Sequence, residues 1–202
     1  MPQILYDLKP VFQRLLRPAA RLLYQLGVTA NQVTVAAVVL AVVTGAVLCV
    51  KAGSPRALLL LPPALLLRMA FNAIDGMLAK EFELKSRLGA LLNELGDVFC
   101  EAAFYLPLAL GWHFSPVLIV LVVLLAVISE MTGVLGLMVG AGRRFDGPMA
   151  KSDRAVAFGL MSLAIGFGIP MGIWQNVLLV VMLGLLGYTI YNRAHMALWR
   201  GE

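Results

Sequence analysis

Between Asn31 and Val50 the chain runs for twenty residues without a charged side chain, and runs of this kind recur along almost its whole length. Such a run has few ways to fold. In hydrocarbon, backbone N–H and C=O groups find no water, so a spanning segment must satisfy them internally, and about 20 residues of α-helix do so. Further apolar stretches at 57–80, 87–111, 115–140, 153–169 and 173–192 bring the expected number of spans to six, the fifth being short and broken by Gly166, Gly168 and Pro170. The chain is 61% apolar and 13% charged, with mean hydropathy +0.90, against about 25% charged residues in soluble domains. The expected fold class is an all-α polytopic membrane protein.

Residues 1–27 differ from the rest. Leu5, Leu8, Phe12, Leu15, Leu16, Ala19, Leu22 and Leu23 recur at helical spacing, while Asp7, Lys9, Arg14, Arg17 and Arg21 take the other faces. That is too much charge to span a bilayer, and it fits an amphipathic helix lying in the headgroup layer. A polar break, Gly27 to Thr34, then leads into the bundle at 31–192. With no internal repeat and no long linker, residues 1–202 form one domain.

The net charge of +5 does not point to nucleic acid, because the basic residues sit at the ends of apolar runs. Lys9, Arg14, Arg17, Arg21, Lys80, Lys85, Arg87, Arg143, Arg144, Lys151, Arg154, Arg193 and Arg200 gather on one side, and Lys51 and Arg56 on the other. The positive-inside rule then makes both termini and the 80–87 hairpin cytoplasmic. Cys49 and Cys100 lie inside apolar runs and fit buried small residues better than a disulfide. His113 and His195, single imidazoles at span ends, fit structural or interfacial positions.

Functional groups concentrate between Asn72 and Asp97. Asn72 and Asp75 are three apart and Asn93 and Asp97 four apart, so each pair shares a helix face on either side of the charged hairpin. Oxygen side chains in this arrangement suit hard divalent cations, which in turn recruit phosphate. A charge at the centre of a span costs about 2.5–3.5 kcal/mol on insertion scales, which marks Asp97 and Glu101 as functional candidates.

Asp75, Gly76, Ala79, Gly89 and Asp97 stand as D-G-x-x-A-x(9)-G-x(7)-D. Five fixed positions arise by chance roughly once in a million windows at ordinary residue frequencies. The pattern resembles the signature of the CDP-alcohol phosphotransferase family, D-x-x-D-G-x-x-A-R-x(8)-G-x-x-x-D-x-x-x-D. Thr29 to Thr34 is also similar to the family's P-N-x-x-T opening of the first membrane helix, with Ala30 for proline. There are three departures, since Asn72, Asn93 and Lys80 stand where the family has its first and third aspartates and its arginine.

The resemblance implies a metal-dependent transferase, a homodimer, and one or two Mg or Mn ions at Asn72, Asp75, Asn93 and Asp97. It places the general base at Asp97 and CDP contacts at Asn31, Thr34, Asp75, Gly76, Ala79, Lys80 and Gly89. The small residues would let a nucleotide lie against helix backbone, and Lys80 would meet phosphate as a point charge, without arginine's fork. Two asparagines remove two negative charges, so weaker or fewer metals are expected, with Glu101, or less favourably Glu94, as compensation. Basic residues after the fourth span, Arg143, Lys151 and Arg154, are the expected site for an acceptor phosphate. Ser152 and Asp153 are expected to cap the helix that follows, and the partner of Glu130 is left open.

The function that the resemblance implies is transfer of a phosphatidyl group from CDP-diacylglycerol to an alcohol with release of CMP, in a bacterial cytoplasmic membrane. Glycerol 3-phosphate is the leading acceptor, and inositol phosphates, serine, another glycerolipid, or the reverse arrangement of a water-soluble CDP-alcohol with diacylglycerol stay open. The competing expectation is a non-catalytic relative that binds lipid or scaffolds other membrane proteins. A transporter is disfavoured because the polar residues gather at one membrane face, with no interrupted helices meeting at the midplane.

Overall fold

The computed structural model describes residues 4–111 and 114–199, with side chains from Val11 on. His113 and Arg200, and the side chains of Leu5, Asp7, Leu8 and Lys9, lie outside the described residues. Every regular element described is helical: α1 (Ile4–Gln25), α2 (Ala30–Val50), α3 (Leu61–Glu81), α4 (Arg87–Tyr105), α5 (Pro116–Leu135), α6 (Lys151–Gly166) and α7 (Trp174–Trp199). Short 3-10 turns at Pro55–Leu60, Leu106–Ala109 and Gly136–Val139 extend α3, α4 and α5.

Local chemistry sets the ends. Thr29 accepts the Gln32 N–H, and the Gln32 side chain accepts the Thr29 N–H in return at 2.8 Å, closing a capping box at the start of α2. Pro62 and Pro63 lack N–H groups, which suits the first turn of α3 and nowhere deeper in it. Ser86 takes the Gly89 N–H at 2.8 Å to start α4. Of the two residues expected to cap α6, Asp153 accepts the Ala150 N–H at 2.8 Å. Helix α7 continues seven residues past its expected end at 192, and Tyr191, His195 and Trp199 lie one above the next on its extension, with ring centroids 5.7 and 5.6 Å apart.

Among the described residues four segments are long and apolar enough to cross a membrane: Ala30–Val50, Pro55–Glu81, Pro116–Val139 and Trp174–Trp199. Helix α4 carries Arg87, Glu94, Asp97 and Glu101, and α6 has 16 residues, so neither qualifies on length and composition alone.

Helix α2 packs against α3 and α4, α5 against α7, and α6 against α3 and the 3-10 turn before it. The α2–α4 contact is close because glycine permits it: a Cβ at Gly45 would strike the Ala103 carbonyl oxygen, and one at Gly96 would lie 3.4 Å from Thr34 Cγ2. A large apolar core runs through Leu48, Leu58, Phe104, Leu179 and Leu186, with Tyr105 stacked on Phe158 at 4.1 Å. Outward-facing residues are also apolar, Val39, Val43, Leu124 and Val180 among them, which suits a surface meeting lipid. Helix α1 docks on α3 through Ala20, Ile74, Met77 and Leu78, tied by an Arg17–Glu81 ion pair at 2.9 Å. Leu15 and Leu22 on α1 remain exposed.

Candidate active site

Helical spacing on α3 and α4 does what the sequence suggested. Asn72 and Asp75 from α3 and Asn93, Gly96 and Asp97 from α4 line one cavity, closed by Thr34 and Ala37 of α2. Thr34 Oγ lies within hydrogen-bonding distance of two acceptors, Asp75 Oδ2 at 2.9 Å and the Ala30 carbonyl at 3.1 Å. The cavity holds about 10 Å3, by a measure in which one water needs roughly 10–15 Å3.

Cys100 and one residue that sequence reasoning missed complete the lining. Arg68 sits one turn before Asn72 on the same face of α3 and donates to Asp97 Oδ1, while Lys151 at the start of α6 donates to Oδ2. The available signal was the one used for Asp97, a charge inside the apolar run LLLRMAF.

The expected nucleotide contacts separate into two kinds. A Cβ at Gly76 would meet nothing within 4 Å, so the absence of a side chain there leaves open space beside Asp75. One at Gly89 would lie 2.6 Å from Asn31 Oδ1 and 2.9 Å from Ser86 Oγ, so a protein contact already accounts for that glycine. Ala79 is half-buried against the α1–α3 cluster, and Lys80 is exposed at the end of α3.

Deeper in the bundle a second set of charges forms a continuous chain. Arg154 Nη2 donates to both oxygens of Glu101 at 2.7 and 2.9 Å and to Glu130 at 3.1 Å, and Nη1 donates to the Met149 carbonyl at 2.8 Å. Arg193 pairs with Glu130 at 3.4 Å and donates to the Ser129 carbonyl at 2.6 Å. Arg143 bridges Glu94 at 2.7 Å and Glu130 at 3.4 Å, with its guanidinium 4.4 Å from the Phe145 ring centroid. Arg154 is 0% exposed and Arg193 1%. Paired this way, each buried charge has a counter-charge and hydrogen bonds. Glu101 is thus committed to Arg154 rather than to the cavity, Glu94 to Arg143, and Arg154 to this network rather than to an incoming acceptor. Lys151 alone of the three basic residues expected at the acceptor site reaches Asp97.

The donor set does not fit a centre of two divalent ions. Two of its four members are neutral carboxamides, both oxygens of Asp97 already accept from cationic side chains, and among the described residues no three His, Cys, Asp or Glu cluster as metal ligands.

The cavity lies between α2, α3 and α4 of an all-helical bundle, and comparison with known proteins gives the family. The sequence model for CDP-alcohol phosphatidyltransferase matches residues 27–191, and the chain belongs to that family. It is 42% identical over 194 residues, 96% of each chain, to the inner membrane protein YnbA of Escherichia coli. Its fold is similar to crystal structures of Mycobacterium tuberculosis phosphatidylinositol phosphate synthase, PgsA1. The complex with manganese and citrate aligns with a TM-score of 0.74 at 17% identity over 90% of this chain and 88% of that one. The complex with CDP-DAG gives 0.74 at 19% identity, over 91% and 94%.

Proposed function

We propose that this protein is a phospholipid-synthesising transferase of a bacterial inner membrane that moves the phosphatidyl group of CDP-diacylglycerol to an alcohol and releases CMP. The observation that carries the reading is the meeting of Asn72, Asp75, Asn93 and Asp97 with Thr34 in one cavity, flanked by the open face of Gly76. Six crossings, with α4 and α6 as the two shorter ones and α1 in the headgroup layer, are part of the proposal. The exposed Leu15 and Leu22 support the interfacial position. Cytoplasmic termini and a cytoplasmic site rest on the charge asymmetry, which survives when buried Arg154 and Arg193 are left out of the count. A homodimer is proposed on the family resemblance alone.

In the transfer, the acceptor hydroxyl oxygen forms a bond to the phosphatidyl phosphorus as the bond from that phosphorus to CMP oxygen breaks, and the hydroxyl proton passes to a carboxylate. Asp97 is proposed as that acceptor. An alcohol is far too weak an acid for a carboxylate of ordinary pKa near 3.9 to deprotonate beforehand, so the proton moves as the new bond forms and placement matters more than basicity. Lys151 and Arg143, both partly exposed, would receive an acceptor phosphate, which makes glycerol 3-phosphate the leading acceptor. The resemblance assigns Mg or Mn ions to Asn72, Asp75, Asn93 and Asp97, and one structural neighbour, PgsA1, was crystallised in complex with manganese. With two carboxamides and an Asp97 already paired to two cations, this donor set does not fit two ions.

The test is CMP release from purified protein in liposomes with CDP-diacylglycerol and a panel of alcohols, followed by mass spectrometry of the lipid. A new phospholipid formed in step with CMP is the expected result. Donor binding without CMP release from any acceptor would instead indicate the non-catalytic relative.

A further inference from the structure

We infer that the guanidinium of Arg68, with the ammonium of Lys151, supplies the positive charge that divalent cations supply in a four-aspartate site, and that the donor's pyrophosphate binds Arg68 rather than bound metal. The identity of the donor rests on the reading above; the cation assignment does not.

The placement of Arg68 follows from backbone geometry. Residues 68, 72 and 75 succeed one another at intervals of four and three on α3, so Arg68 shares the face that carries Asn72 and Asp75, and it lines the same cavity. Its side chain is 12% exposed, enough for a ligand to reach and too little for free solvation.

Charge counting then links Arg68 to the two asparagines. A four-aspartate site carries four negative charges when empty, which attracts two divalent ions and leaves the loaded site neutral. Here Asp75 and Asp97 carry two negative charges, and Arg68 and Lys151 carry two positive ones, so the site reaches neutrality with no ion bound. Substituting asparagine at 72 and 93 removes as much charge as the two basic side chains add. A divalent ion approaching this site meets no net attraction and lies close to a guanidinium that cannot lose its proton.

Arginine also suits the substituted task. Its planar fork has five N–H donors, of which Nη2 engages Asp97, leaving others for phosphoryl oxygens in charge-assisted hydrogen bonds.

The experiment uses the full-length protein in nanodiscs, titrated with Mn2+ alone and followed by electron paramagnetic resonance, with CDP-diacylglycerol binding measured separately in EDTA and in Mg2+. The wild type is expected to show no saturable Mn2+ site up to about 1 mM, the weak end of biological cation sites. Its donor affinity in EDTA should lie within about 2-fold of that in Mg2+, since nothing metal-bound contributes. Arg68→Met should lower EDTA-resistant donor affinity by about 10- to 100-fold, the loss of a charged hydrogen-bond donor. Arg68→Met combined with Asn72→Asp and Asn93→Asp should gain a saturable Mn2+ site and Mn2+-dependent donor binding. If Arg68→Met fails to fold, Arg68→Lys keeps the charge, and it should retain EDTA-resistant binding at reduced affinity. A saturable Mn2+ site in the wild type, or donor binding abolished by EDTA, overturns the proposal. Absence of donor binding under both conditions would remove the transferase reading, while the Mn2+ titration would still decide what cation the site uses.

Discussion

Gly76 separates a residue kept small for a ligand from one kept small for packing. A Cβ built there meets no atom within 4 Å, and the backbone is ordinary helix within α3. Replacing glycine by alanine in a helix interior stabilises by about 0.5–1 kcal/mol because the unfolded chain loses freedom and no neighbour is displaced. For a chain of this size that corresponds to a rise of about 1–4 °C in melting temperature. If the nucleotide lies against this backbone, added bulk overpacks the bound state, which typically costs about 1–3 kcal/mol, or about 5- to 150-fold in affinity. Gly76→Ala should therefore melt higher than wild type and bind CDP-diacylglycerol more weakly, with Gly76→Val at the weak end of the range. Gly89→Ala should behave differently, since its Cβ would press on Asn31 Oδ1 and the Ser86 cap, and both stability and binding should fall together. The assays are thermal unfolding in detergent and equilibrium binding of CDP-diacylglycerol. Donor affinity of Gly76→Val within 2-fold of wild type would show that the nucleotide does not occupy this face.

Asp97→Asn keeps the shape and one oxygen but removes the proton acceptor, so turnover should fall about 100-fold or more. A near wild-type rate of CMP release would move the base to Asp75, which lines the same cavity, whereas Glu101 does not. Arg154→Met leaves Glu101 and Glu130 buried without their shared partner, a loss of about 3–5 kcal/mol that chemical unfolding in detergent would register. Arg154→Met combined with Glu101→Gln should recover part of that loss, and an unchanged unfolding midpoint in the single variant would show that the pair is not structural.

The sequence by itself determined the helical class, the helix positions to within a few residues apart from the end of α7, and the sharing of one helix face by Asn72 and Asp75 and of another by Asn93 and Asp97. The reason is that these depend on local quantities. Apolar run length and polar N-cap residues set the helices, and a period of 3.6 puts each pair on one face, whereas α2, packed against both α3 and α4, brings the two faces to one cavity. Which charge neutralises which was decided only by the tertiary structure. Glu101 lies one turn past Asp97, yet α6 brings Arg154 to Glu101 and Lys151 to Asp97, so adjacent carboxylates on one helix serve separate networks. Gly89 looked like space for a nucleotide until α2 placed Asn31 against it, and Arg68 gained its role only when α4 set Asp97 opposite. A buried charge must find its counter-charge wherever packing provides one, and that partner is most often on another helix, at no fixed distance along the chain.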